Sequence, residues 1–260
     1  MFDFRNQKLL VVSPHPDDEV LGCAGLMQKV KDSDGQVFVL FLTVGDTNDF
    51  SQAGFSSSTE RQEEIKDVAQ LLRFDDYHLA FEGNEHHLRL DTVGQKRLMD
   101  LIERGTPLSL ERIKPTMVAF PSLASYNQDH RMAALATHAA LRPANGPKHL
   151  VSTVLTYEEL GDGWTLQKQP EVNFFVPLNR QELATKLSAM SLYRSQVRPA
   201  PHLRSLEMIK AFAQLRGAQS GASYAESFTL HRTIYQTREG SSTLAKIEAP
   251  RALEASGKAA

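Results

Sequence analysis

The feature that most constrains the fold is the alternation of short apolar runs with stretches of helical periodicity. The run Gln36–Thr43 is rich in β-branched and aromatic residues and lacks polar alternation, as is typical of a strand buried on both faces. Lys8–Val12 and Thr116–Phe120 are similar runs, and the amphipathic stretch Thr59–Leu72 predicts a helix between them. Strands that alternate with helices in this way predict an α/β fold, a layered structure with a mostly parallel central sheet flanked by helices.

At 260 residues, the chain is long enough for one large domain, which we expect to span residues 1–236. Residues 237–260 are small and polar with no aromatic side chain, which predicts a mobile C-terminal tail. Asp46–Ser58 predicts a long loop at the C-terminal end of the second strand, where α/β folds place ligand sites. The other predicted elements are strands at Tyr77–Phe81, Val151–Tyr157 and Val172–Val176 and helices at Gly94–Arg104, Asp129–Leu141, Arg180–Tyr193 and Leu203–Leu215.

Composition excludes several classes of protein. Lys and Arg total 29 against 31 Asp and Glu, so the net charge of −2 provides no basic field for nucleic acid. No run approaches the ~18 apolar residues of a membrane span. The single cysteine, Cys23, has no intramolecular disulfide partner, which favours a reducing compartment. We therefore expect a cytoplasmic protein with no nucleic-acid partner and no membrane span. The sequence does not determine the oligomeric state and is compatible with a homo-oligomer.

The segment Pro14–Glu19 follows the first predicted strand and concentrates a histidine and three acids. One interpretation is a helix N-terminus, at which Asp17 or Asp18 caps the backbone. The other is a metal site, because acids held together at a strand end repel one another unless a cation compensates them. His15 and Asp18 are three residues apart and share a face of a helical turn. Asp17 then points elsewhere and is free to act on a metal-bound water.

The segment Asn127–Arg131 follows the strand Thr116–Phe120, so in a parallel sheet it emerges at the same edge as the first motif. His15, Asp18 and His130 together make two imidazoles and a carboxylate, a common catalytic zinc set that leaves a fourth position for water. Non-haem iron oxygenases use the same ligand types. Their spacing is usually His-x-Asp, whereas the spacing here is His-x-x-Asp. We therefore expect Zn²⁺, with Fe²⁺ as the alternative.

At these residues the chain resembles the LmbE-like/PIG-L family of zinc-dependent N-acetylglucosaminyl deacetylases. The first family motif is matched by Pro14–Gly25 and the second, in part, by Asp129–Arg131. Weaker similarities follow in the expected order, so that the resemblance covers about Lys8 to Tyr235; they are Thr43–Asp46, Arg61, Glu64, Arg216–Gly217 and Tyr224–Phe228.

The resemblance implies a Rossmann-like fold and the removal of acetyl groups from N-acetylated amino sugars, either small molecules or lipid- or nucleotide-linked precursors. It also implies roles for individual residues. His15, Asp18 and His130 correspond to the zinc ligands, Asp17 to the general base and Arg61 to a substrate-binding residue.

One departure from the family pattern concerns the catalytic acid. Many members have a histidine three residues before the second zinc histidine, where this chain has Asn127. An amide donates a hydrogen bond to an oxyanion but supplies no proton, so Asn127 is a candidate oxyanion donor and His202 a candidate for the missing acid. Asp129 is expected to orient a neighbouring histidine, as carboxylates behind metal ligands often do.

Other polar residues were assigned from their positions alone. Glu158 follows a strand and Arg216 lies in a family-like segment, so both are candidate substrate-binding residues. The adjacent His86 and His87 lie in a polar stretch and are expected to face solvent, and His138 is expected to pack in the core. Two further functions stay open: an amidase of the same family that acts on a sugar–thiol conjugate, and a non-catalytic binding protein with a decayed site.

Overall fold

The strands and helices of the chain alternate along most of its length. The computed structural model describes residues 2–48, 54–144, 147–169 and 171–234, and the predicted tail at 237–260 lies outside them. The strands are β1 (Lys8–Ser13), β2 (Gln36–Val44), β3 (Thr47–Asn48), β4 (Phe55–Ser56), β5 (Asp76–Glu82), β6 (Met117–Pro121), β7 (Thr153–Tyr157), β8 (Phe174–Leu178) and β9 (Tyr224–Thr233). The helices are α1 (Asp18–Lys31), α2 (Ser58–Leu72), α3 (Leu90–Val93), α4 (Gln95–Asp100), α5 (Leu110–Ile113), α6 (Gln128–Ala140), α7 (Arg180–Leu192) and α8 (Leu206–Ser220), with a π-turn at Leu101–Gly105 and a 3₁₀ turn at Leu160–Gly163.

Seven strands form the central sheet in the order β5-β2-β1-β6-β7-β9-β8. The first five of these are parallel to their neighbours, and β9 runs antiparallel to both β7 and β8. This confirms the predicted α/β class with a mostly parallel sheet flanked by helices. The chain proceeds from β1 outwards through β2 to β5 and then returns to the other side of β1 as β6. The carboxyl ends of β1 and β6 therefore border a topological switch point, where open α/β sheets bind ligands.

Both faces of the sheet are buried, which explains why the predicted strands lack polar alternation. Along β1, Leu9 and Val11 belong to a core shared with α1, α2, α7 and α8. Leu10 and Val12 face the opposite side and pack in a second core with α4, α5 and α6. The helices of the two cores therefore pack on opposite faces of β1 and approach its end from opposite sides.

A buried ion pair ties α1 to the distant end of the chain. Glu226 on β9 accepts hydrogen bonds from the backbone N–H groups of Gly25 and Leu26 (both 2.8 Å), and Lys186 on α7 donates to Glu226 (2.6 Å) and to the Leu21 carbonyl (2.7 Å). Both charged side chains are almost fully buried. Gly25 leaves room for this arrangement, since a Cβ there would lie 2.3 Å from a Leu178 methyl group and 3.0 Å from Glu226.

Several predicted boundaries differ from those observed. The predicted helix Gly94–Arg104 is observed as α4, which continues directly into the π-turn Leu101–Gly105, and Gly94, with φ +81°, separates it from the short helix α3. The predicted long loop Asp46–Ser58 contains a small hairpin, in which Thr47 pairs with Ser56. The last helix begins at Leu206 and ends at Ser220, later than predicted. None of the helices in the described ranges is long and apolar enough to cross a membrane.

Candidate metal centre and active site

The two polar motifs meet at the carboxyl ends of β1 and β6, which are neighbours in the sheet. His15 and Asp18 lie on the turn between β1 and α1, and His130 lies in the first turn of α6. All three side chains line one cavity of about 290 Å³. The structure therefore brings together the three residues that the sequence assigned to a metal.

The three side chains have the geometry of a small cation site. One nitrogen or oxygen atom from each lies within 4.8 Å of the others. Asp18 Oδ2 is 3.3 Å from His15 Nδ1 and 3.2 Å from His130 Nε2. A tetrahedral ion with bonds of ~2.0–2.1 Å separates its ligand atoms by ~3.3–3.4 Å. These residues therefore fit a Zn²⁺-sized ion with little rearrangement.

Each histidine has a carboxylate on the ring nitrogen that faces away from Asp18. Asp129 Oδ2 is 3.0 Å from His15 Nε2, and its other oxygen accepts a hydrogen bond from the Leu90 backbone N–H (2.8 Å). Glu159 Oε1 lies 3.7 Å from His130 Nδ1. A carboxylate at hydrogen-bond distance, as Asp129 is, holds the proton on the outer nitrogen and leaves the inner nitrogen unprotonated for a metal, whereas Glu159 Oε1 makes no hydrogen bond with the described residues. Asp129 thus lies against His15, and its orienting role stays a prediction.

The charges of the metal-free site are balanced by protons. Burial disfavours the charged form of His15, but its hydrogen bonds with Asp129 and Asp18 outweigh burial and raise its pKa to about 9. Burial opposes ionisation of Asp18 too, yet His130 and His15 lower its pKa well below the usual range. Burial and the Asp18 charge raise the pKa of Glu159 well above its usual value. A divalent cation would take over the compensation that these protons supply.

Asp17 lies at the N-cap position of α1, and its side chain makes no capping hydrogen bond to the described backbone. Its backbone has φ +108° and ψ −30°, a conformation that residues other than glycine rarely adopt, and such outliers concentrate at functional sites. The carboxylate is buried, lines the cavity and lies 3.5 Å from Arg204 Nη1. Burial and the neighbouring Asp18 charge raise the pKa of Asp17 to about 6, against the opposing effect of Arg204. Helix capping therefore does not explain this residue.

Asn127 is the N-cap of α6. Its side-chain oxygen accepts a hydrogen bond from the Asp129 backbone N–H (2.9 Å), as helix caps typically do. The residue also lines the cavity. Because the cap uses the amide oxygen, the NH₂ group is the part of this side chain that remains to act on a substrate.

Arg61 on α2 is buried and lines the cavity. Its guanidinium donates to the Pro16 carbonyl (2.7 Å) and to Thr47 Oγ1 (3.1 Å). The third nitrogen, Nε, is buried and has no hydrogen-bond partner among the residues that the structure describes. A buried donor without a partner is costly, so this atom indicates an acceptor supplied by water or substrate.

Glu158 and Arg216 lie apart from the metal cluster. Arg216 Nε donates to Glu158 Oε2 (2.9 Å), a second guanidinium nitrogen bonds Oε1, and Ser227 Oγ also donates to Glu158 (2.6 Å). Among the described residues, neither lines the cavity that contains the metal cluster. Successive residues after β7 face opposite sides, so that Glu159 rather than Glu158 borders the site.

Three histidines differ in exposure from what their sequence positions predict. His87, expected in solvent, is buried at 5% exposure, and burial together with nearby His15 lowers its pKa to about 3. His86 is half-buried against Phe81, with ring centroids 4.6 Å apart. His138, expected in the core, is exposed. In these three cases sequence position alone was not informative, because contacts between distant segments decide exposure.

The connection between α7 and α8 closes one side of the cavity. Gln196, His202, Leu203 and Arg204 line it, and Arg204 Nη1 donates to Gln196 Oε1 (2.6 Å). His202 Nδ1 accepts a hydrogen bond from the Arg204 backbone N–H (3.0 Å). The candidate acid from the sequence analysis therefore borders the cavity.

Comparisons with known proteins agree with this geometry. The model of the family described as PIG-L, GlcNAc-PI de-N-acetylase, matches residues 10–141. A diacetylchitobiose deacetylase from Thermococcus kodakarensis is 27% identical over 232 residues, which cover 85% of this chain and 81% of that protein. The solved structure of the conserved protein TT1542 from Thermus thermophilus has 24% identity and a TM-score of 0.66, with 89% of this chain and 98% of that chain covered.

A second solved structure shows that the fold alone does not determine the reaction. GalB, the 4-carboxy-2-hydroxymuconate hydratase from Pseudomonas putida, covers 89% of this chain and 98% of its own, with 21% identity and a TM-score of 0.64. Unrelated chemistries commonly share a fold, so the assignment depends on the family match and on the site. That match covers half of the chain and includes the first motif and both segments of the metal cluster. The chain therefore belongs to the PIG-L family and is a metal-dependent N-deacetylase of that family.

Proposed function

We propose that this enzyme removes the acetyl group from an N-acetylated amino sugar with Zn²⁺ as its metal. The observation that carries the proposal is that Asp17, a buried carboxylate with no capping role, shares a cavity with the cluster His15, Asp18 and His130. The named activity of the Thermococcus relative, a diacetylchitobiose deacetylase, supports an N-acetyl sugar as the substrate class.

The donor set favours Zn²⁺ as the metal. Two imidazole nitrogens and one carboxylate oxygen are a usual set for catalytic zinc, with Fe²⁺ as the alternative for the same ligands. When bound by these three residues, the ion supplies Lewis-acid polarisation of the amide carbonyl and acidifies the attacking water. Asp129 keeps the inner nitrogen of His15 unprotonated for it by accepting from the outer one.

Asp17 performs the proton transfers. It accepts the proton of the attacking water and then returns that proton to the nitrogen of the departing amine. Its position next to Asp18 on the same turn places it beside the metal site, and Arg204 at 3.5 Å holds the carboxylate from the other side. A single residue can perform both steps because the proton it removes is the one the amine requires.

Asn127 and Arg61 bind the reacting amide and the sugar. The NH₂ group of Asn127 is a donor for the oxygen on which negative charge develops, and one preorganised donor of this kind typically contributes ~3 kcal/mol. The unpartnered Nε of Arg61 is a donor for a sugar or acetyl oxygen. Tyr126 lines the cavity with 59% of its surface exposed, and an exposed aromatic ring suits stacking on a sugar face.

The test compares Asp17→Asn with Asp34→Asn. Both aspartates have positive φ, but Asp34 lies on an exposed turn that does not border the cavity. The assay measures acetate release from free, nucleotide-linked and lipid-linked N-acetylhexosamines, together with metal content. We expect Asp17→Asn to retain zinc and lose acetate release, and Asp34→Asn to match the unmodified enzyme.

The same screen separates the competing functions. Release of a fragment larger than acetate would identify an amidase, and a zinc-loaded protein that hydrolyses no member of the panel would identify a binding protein. Normal hydrolysis by Asp17→Asn would contradict the role of Asp17 while leaving the substrate class intact.

A further inference from the structure

His87 lies between two threonine hydroxyls, one on each side of its ring. Its Nδ1 is 3.2 Å from Thr43 Oγ1, and its Nε2 is 2.9 Å from Thr47 Oγ1. Thr43 also bonds the carbonyl of Pro14, the residue before the metal-site histidine (3.3 Å), and Thr47 accepts from Arg61 (3.1 Å). The ring therefore connects the metal-binding turn to the buried arginine of the cavity.

The direction of each hydrogen bond in this chain follows from the groups at its two ends. A guanidinium only donates and a carbonyl only accepts. Thr43 gives its single hydrogen to the Pro14 carbonyl, so it must accept from His87 Nδ1. Thr47, which accepts from Arg61, then gives its hydrogen to His87 Nε2. A neutral imidazole that accepts at Nε2 carries its proton on Nδ1, so it donates to Thr43, which in turn donates to the Pro14 carbonyl.

Packing fixes the His87 ring in this place. The ring meets the His15 ring edge to face, with centroids 5.5 Å apart and an interplanar angle of 88°. His87 also packs against Gly45, where a Cβ would be 2.5 Å from His87 Cβ and 2.7 Å from its Cγ. Gly45 is therefore required for the ring to approach His15 so closely.

We propose that His87 is a positioning residue, which orders the metal-binding turn through Thr43 and the Arg61 guanidinium through Thr47. It touches neither metal nor substrate and acts through these neighbours. This role deepens the proposed function. The kinetic test of it rests on the proposed function, whereas the Zn²⁺-binding test requires no known substrate.

The two halves of the network can be separated by substitution. The amide group of asparagine lies near the place of Nδ1, whereas that of glutamine reaches the place of Nε2. His87→Asn therefore retains the bond to Thr43 and loses the bond to Thr47, and His87→Gln does the reverse. His86→Asn and His86→Gln are matched controls, because His86 is adjacent and packs on Phe81 without joining the network.

The first measurement is Zn²⁺ affinity by competition with a chelator, alongside thermal unfolding of the metal-free proteins. We expect His87→Gln to weaken Zn²⁺ binding about tenfold, the lower end for groups behind metal ligands, while His87→Asn stays within twofold of the unmodified protein. Thr43→Val should reproduce the loss and Thr43→Ser should not, which keeps the test decisive if a His87 variant fails to fold.

The second measurement is the steady-state kinetics with diacetylchitobiose as the probe. We expect His87→Asn to raise KM more than it lowers kcat, because Arg61 loses its support. If both variants lose Zn²⁺ affinity and thermal stability equally, His87 is only a packing residue and the proposal is overturned. A wild-type protein inactive on this probe would count against the proposed substrate alone, since the Zn²⁺ measurement still decides the role of His87.

Discussion

Replacing Asp129 by asparagine should convert His15 into the wrong tautomer for metal binding. Asp129 accepts two hydrogen bonds, one from the Leu90 N–H (2.8 Å) and one from His15 Nε2 (3.0 Å). Asparagine has only one oxygen, and the backbone donor of Leu90 cannot change. The NH₂ group then faces His15 Nε2, which must become an acceptor, so that the proton of the neutral ring moves to Nδ1, the atom that faces Asp18.

The expected loss of Zn²⁺ affinity is 10- to 100-fold, as is usual for carboxylates behind metal-ligating histidines. This corresponds to about 1.4–2.7 kcal/mol. The metal-free protein should lose more, because removing one partner of a buried ion pair costs about 3–5 kcal/mol, and both side chains are nearly inaccessible.

The stability that the metal-free protein loses through Asp129→Asn should decrease as the pH rises. The pKa of His15 is raised to about 9 in the folded protein, so its contribution to stability is complete below the unfolded pKa of ~6.5 and disappears as the pH rises through 9. Asp129→Asn should therefore destabilise the metal-free protein most below pH 6.5 and progressively less towards pH 9.

The assay is chelator competition for Zn²⁺, together with urea unfolding of the metal-free protein between pH 6 and 9. Asp91→Asn, a change of the same chemistry at an exposed residue of α3, is the control. A Zn²⁺ affinity within twofold of the unmodified protein would refute the tautomer argument. A destabilisation that is equally large at pH 6 and pH 9 would refute the assignment of the raised pKa to this pair.

The same contacts lead to three further predictions. Zn²⁺ must displace the His15 proton, whose pKa is about 9, so the affinity for Zn²⁺ should rise about tenfold per pH unit between pH 6.5 and 8.5. A Zn²⁺ affinity from chelator competition that does not change over this pH range would contradict this prediction. Gly45→Ala should cost about 1–3 kcal/mol of unfolding free energy in urea, because its Cβ collides with His87. Lys186→Met should cost about 3–5 kcal/mol in the same assay, because it leaves the Glu226 carboxylate buried without a cation, and adding Glu226→Gln should recover part of the loss.

Much of the fold and the metal cluster could be predicted because local signals were sufficient. A strand without polar alternation, such as Gln36–Val44, indicates burial on both faces wherever its neighbours lie. Two polar segments that each follow a parallel strand must emerge at the same edge of the sheet, whatever the intervening chain does. This is why His15 and His130, which are 115 positions apart, were predicted to meet from the sequence alone.

Other residues, such as Glu158 and His87, could not be placed from the sequence because their positions depend on register and on distant contacts. Glu158 and Glu159 are chemically identical neighbours, and only the exact end of β7 decides which one approaches His130. His87 is buried only because Gly45, 42 positions earlier, lacks a side chain. A polar sequence around His87 correctly indicates a connection between elements, but it says nothing about which single side chain turns inward.

The position of Asn127 shows how the metal site and the helix behind it constrain each other. The helix α6 must begin where it does to place Asp129 behind one histidine and His130 opposite Asp18. Its cap therefore lies at the cavity wall, where Asn127 caps the helix with its oxygen and, in the mechanism that we propose, binds the oxyanion with its NH₂ group. A side chain that also donated a proton could not both cap α6 and bind the oxyanion. In the mechanism that we propose, the proton comes instead from Asp17, which holds it already after the first step.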